Sequence, residues 1–248
     1  PGVPDPLGKI QREYSNTKAE DLVMTGSWDG ADASDNTSGI APPDTQGDVG
    51  TGYYVQMVNN VTVIFDKNGN ELVAPFNSSA FWAGFSDGSG GYFDATNDGD
   101  PIVLWDETAG TNGRWLVSQF AVPHSDGNYY MLVAISQTDD PRGSYYRYAF
   151  MYNDFNDYPK IGIWPDAYYC GQNAFDKNTS ASLGIYVSAW ERDKMIAGDP
   201  SAQMVNFEDA SYFAVFPADA DELPPLGTPG IFINDMVQTY TGNDEVYI

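Results

Sequence analysis

The chain has 248 residues, enough for one large or two small domains with a sizeable core. Its 35 acidic against 11 basic residues leave a formal net charge of -24, which speaks against nucleic acid and anionic membrane surfaces as partners, since both need clustered Lys and Arg. One cysteine excludes an internal disulfide framework and a cysteine-based zinc cluster, and no run of 18 apolar residues offers a membrane-spanning helix.

Acidity of this size suits a protein that stays soluble in salt, or one that gathers divalent cations. The aromatic share of 15%, from 17 Tyr, 13 Phe and 6 Trp, favours β-structure, where flat rings pack on a pleated surface. Residues 1–40 are polar and turn-rich and form an N-terminal extension or closing strand, with "LVMTGSW" as one predicted strand. A repeat follows in residues 41–248. "GDVGTGYYVQMVNNVTVIFDKNG", "VLWDETAGTNGRWLVSQFA" running into "YYMLVAISQTDDPRG", and "GIWPDAYYCGQNAFD" running into "LGIYVSAWERDKMIAG" share one plan. An Asp precedes a short turn, an aromatic opens a strand of alternating residues, and a second strand ends in a polar turn.

The leading aspartates are Asp48, Asp106 and Asp166, 58 and 60 residues apart. A weaker copy, "PPLGTPGIFINDMVQTYTG", lies about one period later. The modules expected from this period are 41–96, 97–153, 154–210 and 211–248. Only "ERDKMIAG" reads as helical, for about one turn. Short-stranded sheets at this spacing predict an all-β, β-propeller-like fold with about four modules, the ring incomplete in this chain. A two-sheet sandwich is the competing architecture, but it does not predict so long a period.

The strings "SGIAPPDTQGDVGTGYYVQMVNNVTVIFDKNGNEL", "NDGDPIVLWDETAGTNGRWLVSQFA", "NDYPKIGIWPDAYYCGQNAF" and "AWERDKMIAGDPSAQMV", in this order, resemble a family of large, secreted, mostly uncharacterised bacterial proteins. The resemblance covers residues 39–206. It implies a β-propeller-like extracellular domain and brings no activity with it. Members of that family are about twice as long, which implies that this chain is a fragment, one half of a processed pair, or a four-module variant.

"FDATNDGDP" places Asp94, Asn97, Asp98 and Asp100 within seven residues, and calcium takes six to eight oxygens from such clusters. The spacing is not that of an EF-hand, because Trp105 stands where the bidentate Glu belongs. An Asx-rich turn is the simpler reading. Asp29, Asp32 and Asp35, and Asp154 with Asp157, form similar clusters and keep calcium as a possible structural ion. A glycosidase reading draws on a faint similarity of "GDP" and "PD" to five-bladed arabinanase-type enzymes. It would make Asp100 the base, Asp166 the orienting acid and Glu191 the general acid, with carboxyl groups about 5 to 10 Å apart. Core packing is the default for Trp28, Trp82, Trp105, Trp115, Trp164 and Trp190. Phe81, Trp82 and Phe85 in Gly-rich "FWAGF" are the expected exposed, sugar-stacking set.

Arg114 is expected to clasp Asp106 against a Trp face, and Arg142 to act likewise. Cys170 reads as a small core residue, and the lone His124 lacks the partners of a catalytic triad. Sequons stand at Asn36, Asn60, Asn77 and Asn178. "GDVGTG" and "GSGG" open no phosphate loop. The resulting expectation is a secreted, acidic binding or structural module at a cell surface. It has polysaccharide or a surface protein as partner, calcium as the one candidate cofactor and no organic cofactor. A secreted glycoside hydrolase or lyase is the first alternative. A subunit that self-associates, or whose ring a second chain completes, is the other.

Overall fold

A computed structural model describes residues 26–36, 38–237 and 244–247, with 235–237 and 244–247 as backbone alone. Most of the extension, and with it most of the "LVMTGSW" strand, lies outside the described residues. The described chain is almost wholly strand and turn, arranged in four antiparallel sheets.

The first sheet comprises β1 (Thr45–Val49), β2 (Tyr53–Val58), β3 (Val61–Asp66) and β4 (Glu71–Asn77). The second comprises β5 (Ile102–Asp106), β6 (Arg114–Ala121), β7 (Tyr129–Ser136) and β8 (Tyr145–Tyr152). The third comprises β9 (Phe155–Ile163), β10 (Tyr168–Phe175), β11 (Ser182–Trp190) and β12 (Met204–Asp209). The last comprises β13 (Val215–Pro217), β14 (Phe232–Val237) and β15 (Asp244–Tyr247). Every strand pairs with its chain neighbour, so each sheet is an up-and-down meander. β1 lies beside β5 and β5 beside β9, while β13 crosses β9 and β10. Among the described residues, no helix is long and apolar enough to cross a membrane.

Period-two alternation explains how the sheets stack. In β7, Leu132 and Ala134 join Val55, Met57, Val103, Trp115 and Val117 in a core between the first and second sheets. Their neighbours Met131, Val133 and Ile135 join Leu116, Ile161, Tyr168 and Trp190 in a core between the second and third. The second sheet is thus buried on both faces, which is why "YYMLVAIS" is apolar beyond simple alternation. At the third sheet the approach is closer still. A side chain at Gly162 or Gly171 would strike the carbonyls of Ala218 and Val215, so glycine lets the last sheet's backbone lie directly on β9 and β10.

Helix α1 (Arg192–Ala197) is the single α-turn expected from "ERDKMIAG". Its Arg192 corrects the expected clasp of Asp106. Arg114 lies opposite Asp106 in the β5–β6 register, yet its guanidinium donates to its own neighbour, the Gly113 carbonyl, at 2.8 Å. Asp106, 1% exposed, instead accepts two parallel bonds of 2.8 Å from Arg192 Nε and a terminal nitrogen. The Tyr168 hydroxyl donates to the same carboxylate at 2.7 Å. Arg192 is carried by the chain after β11, so this buried fork ties the second sheet to the third. Arg142 does grip Asp140, with Nε to Oδ1 at 2.8 Å, and lies over the Tyr53 ring of the first sheet at 5.2 Å. Both partners are well exposed, which makes this a minor contribution.

Candidate functional site: an acidic cleft between three first strands

β5 and β9 run in the same direction, because the end of β5 at Asp106 meets the chain just after the ends of β9 and β11. The leading ends of β1 and β5, with the middle of β9, enclose a cleft of about 270 Å³. Asp44, Thr45 and Gln46 line it from the head of β1. Asp100, Pro101 and Ile102 do so from the head of β5, and Tyr158, Pro159 and Lys160 from β9.

The backbone is bent to present these groups. β9 bulges: Lys160 pairs with Gly171 and Asp157 with Asn173, so Tyr158 and Pro159 together face Gln172 alone. A bulge re-aims side chains and tolerates a proline that cannot donate to the ladder. Tyr158 takes the left-handed φ of 56° and Asp100 one of 45°. Asp accepts this conformation readily, but a bulky tyrosine there is strained, and strain of this kind gathers at functional sites.

The cleft's charges perturb one another. Burial, then repulsion from Asp157 and Asp44, pushes the Asp100 carboxyl up to about 6, against the pull of Lys160 and the Tyr158 N–H. Burial also raises Asp157, opposed by the Tyr158 N–H and Lys160. Burial lowers Lys160, while Asp100, Asp44 and Asp157 hold its proton on. The Lys160 ammonium donates to the Pro159 carbonyl at 3.0 Å and sits 3.6 Å from the centre of the Tyr158 ring. The carboxylates feel each other, yet among the described residues no three acidic, histidine or cysteine groups converge on a point where an ion would sit. Such an arrangement suits groups that flank a ligand.

The other expected site residues are dispersed. Asp166 and Glu191 lie at the far end of the sheets from Asp100. Asp166 follows β9 and accepts from the Tyr169 hydroxyl at 3.1 Å, while Glu191 takes Lys194 at 2.7 Å and the Gln203 N–H at 2.9 Å. The proposed set of Asp100, Asp166 and Glu191 is therefore not assembled, because the strand direction separates its members. In the acidic corner, Asp94 accepts the Gly84 N–H at 2.9 Å and Asn97 the Ser79 N–H at 3.1 Å. Asp98 accepts the Val122 N–H at 2.9 Å. These oxygens tie loops down, the role of an Asx-rich turn, and of the four residues Asp100 is the one that lines the cleft.

Trp82 corrects the expected exposure of "FWAGF". It is 1% exposed and packs in the core beside Met57 and Phe93, whereas Phe81 and Phe85 are half-buried. The 3-10 turn Ser78–Trp82 rolls the indole inward despite the glycines around it. His124 is buried, with Nε2 2.9 Å from Asp87 Oδ2 and 3.2 Å from Ser125 Oγ. Acid and hydroxyl meet the same nitrogen, whereas a triad needs them on opposite ones. The Cys170 thiol is fully buried and pushed well up by that burial. Asn60 is 2% exposed and donates to Ser38 Oγ, which leaves its sequon no room for a glycan.

Asp44, Tyr158 and Lys160 were not singled out by sequence reasoning, and Asp157 was noted only as an ion ligand. One signal pointed there: "PPDT", "GDP" and "DYPK" each set a proline within two residues of an aspartate near the first strand of a module, and a proline inside a strand, as in "DYPK", marks a bulge. The fold and site together define an all-β protein of repeated four-stranded sheets with an ionisable cleft between the first strands. No protein-family model, no curated protein and no solved structure matches the chain.

Proposed function

We propose that this chain is an extracellular β-propeller-type module that binds a polysaccharide in the cleft of Asp44, Asp100, Tyr158 and Lys160, with the Asp157 charge close by. One observation carries the reading: the heads of β1 and β5 and the bulge in the middle of β9 deliver ionisable side chains to one hollow, at two left-handed backbone positions. Carboxylates accept hydrogen bonds from sugar hydroxyls, and the half-exposed Tyr158 ring offers a face to the apolar side of a pyranose. First strands lying side by side, β1 to β5 to β9, support a radial arrangement about an axis near this cleft. Binding by loops on a rigid scaffold needs no covalent step.

The second reading, a glycoside hydrolase, is favoured by the Asp100 carboxyl, which titrates near 6 beside other carboxylates. An acid that is still partly protonated near neutral pH can protonate a leaving glycosidic oxygen while a neighbouring carboxylate acts as base or nucleophile. One experiment separates the two. Wild type, Asp100→Asn and Tyr158→Ala are incubated with a panel of polysaccharides between pH 5 and 8, and retention and reducing-end release are both measured. The binding reading expects retention by wild type, its loss in both variants, and no release. Release that Asp100→Asn abolishes moves the assignment to the hydrolase, and wild type that neither retains nor cleaves any polysaccharide contradicts both.

A further inference from the structure

A second hollow, of about 600 Å³, lies at the outer rim between the first two sheets, away from the first strands. That volume is within the range of small-ligand sites, roughly 300–1,000 Å³. One wall is apolar, with Val73 and Phe76 of β4 and Phe81 of the turn after it; the other carries Gln137 and Ser144 from the β7–β8 connection and Arg147 from β8. We propose that this hollow binds a uronate, a pyranose bearing one carboxylate, with Arg147 as the anion's partner.

With 35 carboxylate side chains in the chain, Arg147 forms no ion pair among the described residues, a trait it shares with Arg114, whereas Arg142 and Arg192 each hold a carboxylate; of the two unpaired arginines, Arg147 is the one that lines this hollow. Its guanidinium is nevertheless fixed. One terminal nitrogen donates to the Ala83 carbonyl at 2.6 Å, and the group lies 5.3 Å from the centre of the Phe85 ring. Neither contact neutralises its charge, and its remaining donors meet no protein acceptor among the described residues. An immobilised fork with free donors is preorganised for a planar carboxylate, which it can take with two parallel bonds.

The rest of the hollow selects the ring. Phe81 is held by a tilted contact with Phe76 at 5.6 Å and an edge contact with Tyr145 at 5.1 Å, which gives a rigid apolar wall for the flat side of a pyranose. The Gln137 and Ser144 side chains have no protein partner among the described residues and suit ring hydroxyls, which a benzoate would leave unmet. The chain's net charge repels anions, but at physiological salt that repulsion is screened beyond about 8 Å. Contact chemistry at Arg147 therefore decides the outcome. This site is separate from the cleft of Asp100 and does not depend on the function proposed for it.

The test titrates methyl glucuronoside, methyl glucoside and benzoate into wild type by NMR, with Arg147→Gln, Arg147→Lys and Asp100→Asn as variants. The uronoside is expected to bind wild type and Asp100→Asn alike, and the glucoside and benzoate to bind far more weakly. Losing a bidentate charged contact is expected to weaken the uronoside about tenfold or more in Arg147→Gln. Arg147→Lys keeps the charge and a side chain able to pack on Phe85 but loses the fork, so it is expected to bind the uronoside several-fold more weakly than wild type. Unchanged affinity in either arginine variant, equal binding of glucoside or benzoate, or no uronoside binding at all would overturn the assignment.

Discussion

Replacing Arg192 by alanine is expected to destabilise the protein by about 3–5 kcal/mol, the range for removing one partner of a buried ion pair. The loss follows from what remains. Asp106 is 1% exposed and accepts two bonds from Arg192, one from Tyr168 and two from Thr108. Without the guanidinium, a carboxylate stays at the junction of the second and third sheets with no countercharge, held only by neutral donors of Tyr168 and Thr108. Its choices are to remain charged in an apolar setting, to take up a proton, or to admit water, and each costs free energy. Replacing both members by apolar residues, Asp106→Leu with Arg192→Met, is expected to recover much of the loss, because no charge is then stranded. Denaturant midpoints of the two variants and wild type test this. A loss below about 1 kcal/mol for Arg192→Ala would be the behaviour of an exposed pair and would contradict the assignment.

Asp100→Asn is expected to stabilise the protein at pH 7.5 while it removes ligand binding, and to have little effect on stability at pH 4. The folded carboxyl titrates near 6, above the value of about 3.9 for an unperturbed Asp. Between those values the folded state binds the proton more tightly than the unfolded state does. The stability contributed by this group is therefore fully present below about pH 4 and lost as pH rises through about 6. Above that, an ionised Asp100 is held beside Asp157 and Asp44 in a partly dry cleft, and asparagine relieves the repulsion. A side chain that the fold would hold better as its neutral amide fits a functional group kept at the expense of stability. Melting temperatures of the two proteins across this pH range provide the check. A variant less stable than wild type at pH 7.5 would contradict the electrostatics of the cleft.

Much of the architecture was legible because it rests on local rules. Alternation in "YYVQMVNNVTVIF" and "YYMLVAISQT" marks strands, and the recurrence of the unit marks repeated sheets, since each copy is one meander. The site was legible only in part. Asp100 stood out by its place before a strand, but its partners come from strands more than fifty residues away on either side, and only stacking brings them together. The same distance hid the clasp: Arg114 is the cross-strand neighbour of Asp106, whereas Arg192 reaches it from the next sheet. "FWAGF" misled because glycine-rich surroundings suggest exposure, while the 3-10 turn buries Trp82 and leaves Phe81 and Phe85 beside Arg147.

The most direct check of the shared acidic cleft is the titration of the Asp100 carboxyl carbon by NMR, in wild type and in Asp157→Asn. A midpoint near 6 that falls toward the ordinary carboxylate range when the Asp157 charge is removed is the expected result. A midpoint already at about 4 and indifferent to Asp157 would mean that the three first strands do not form one electrostatic site.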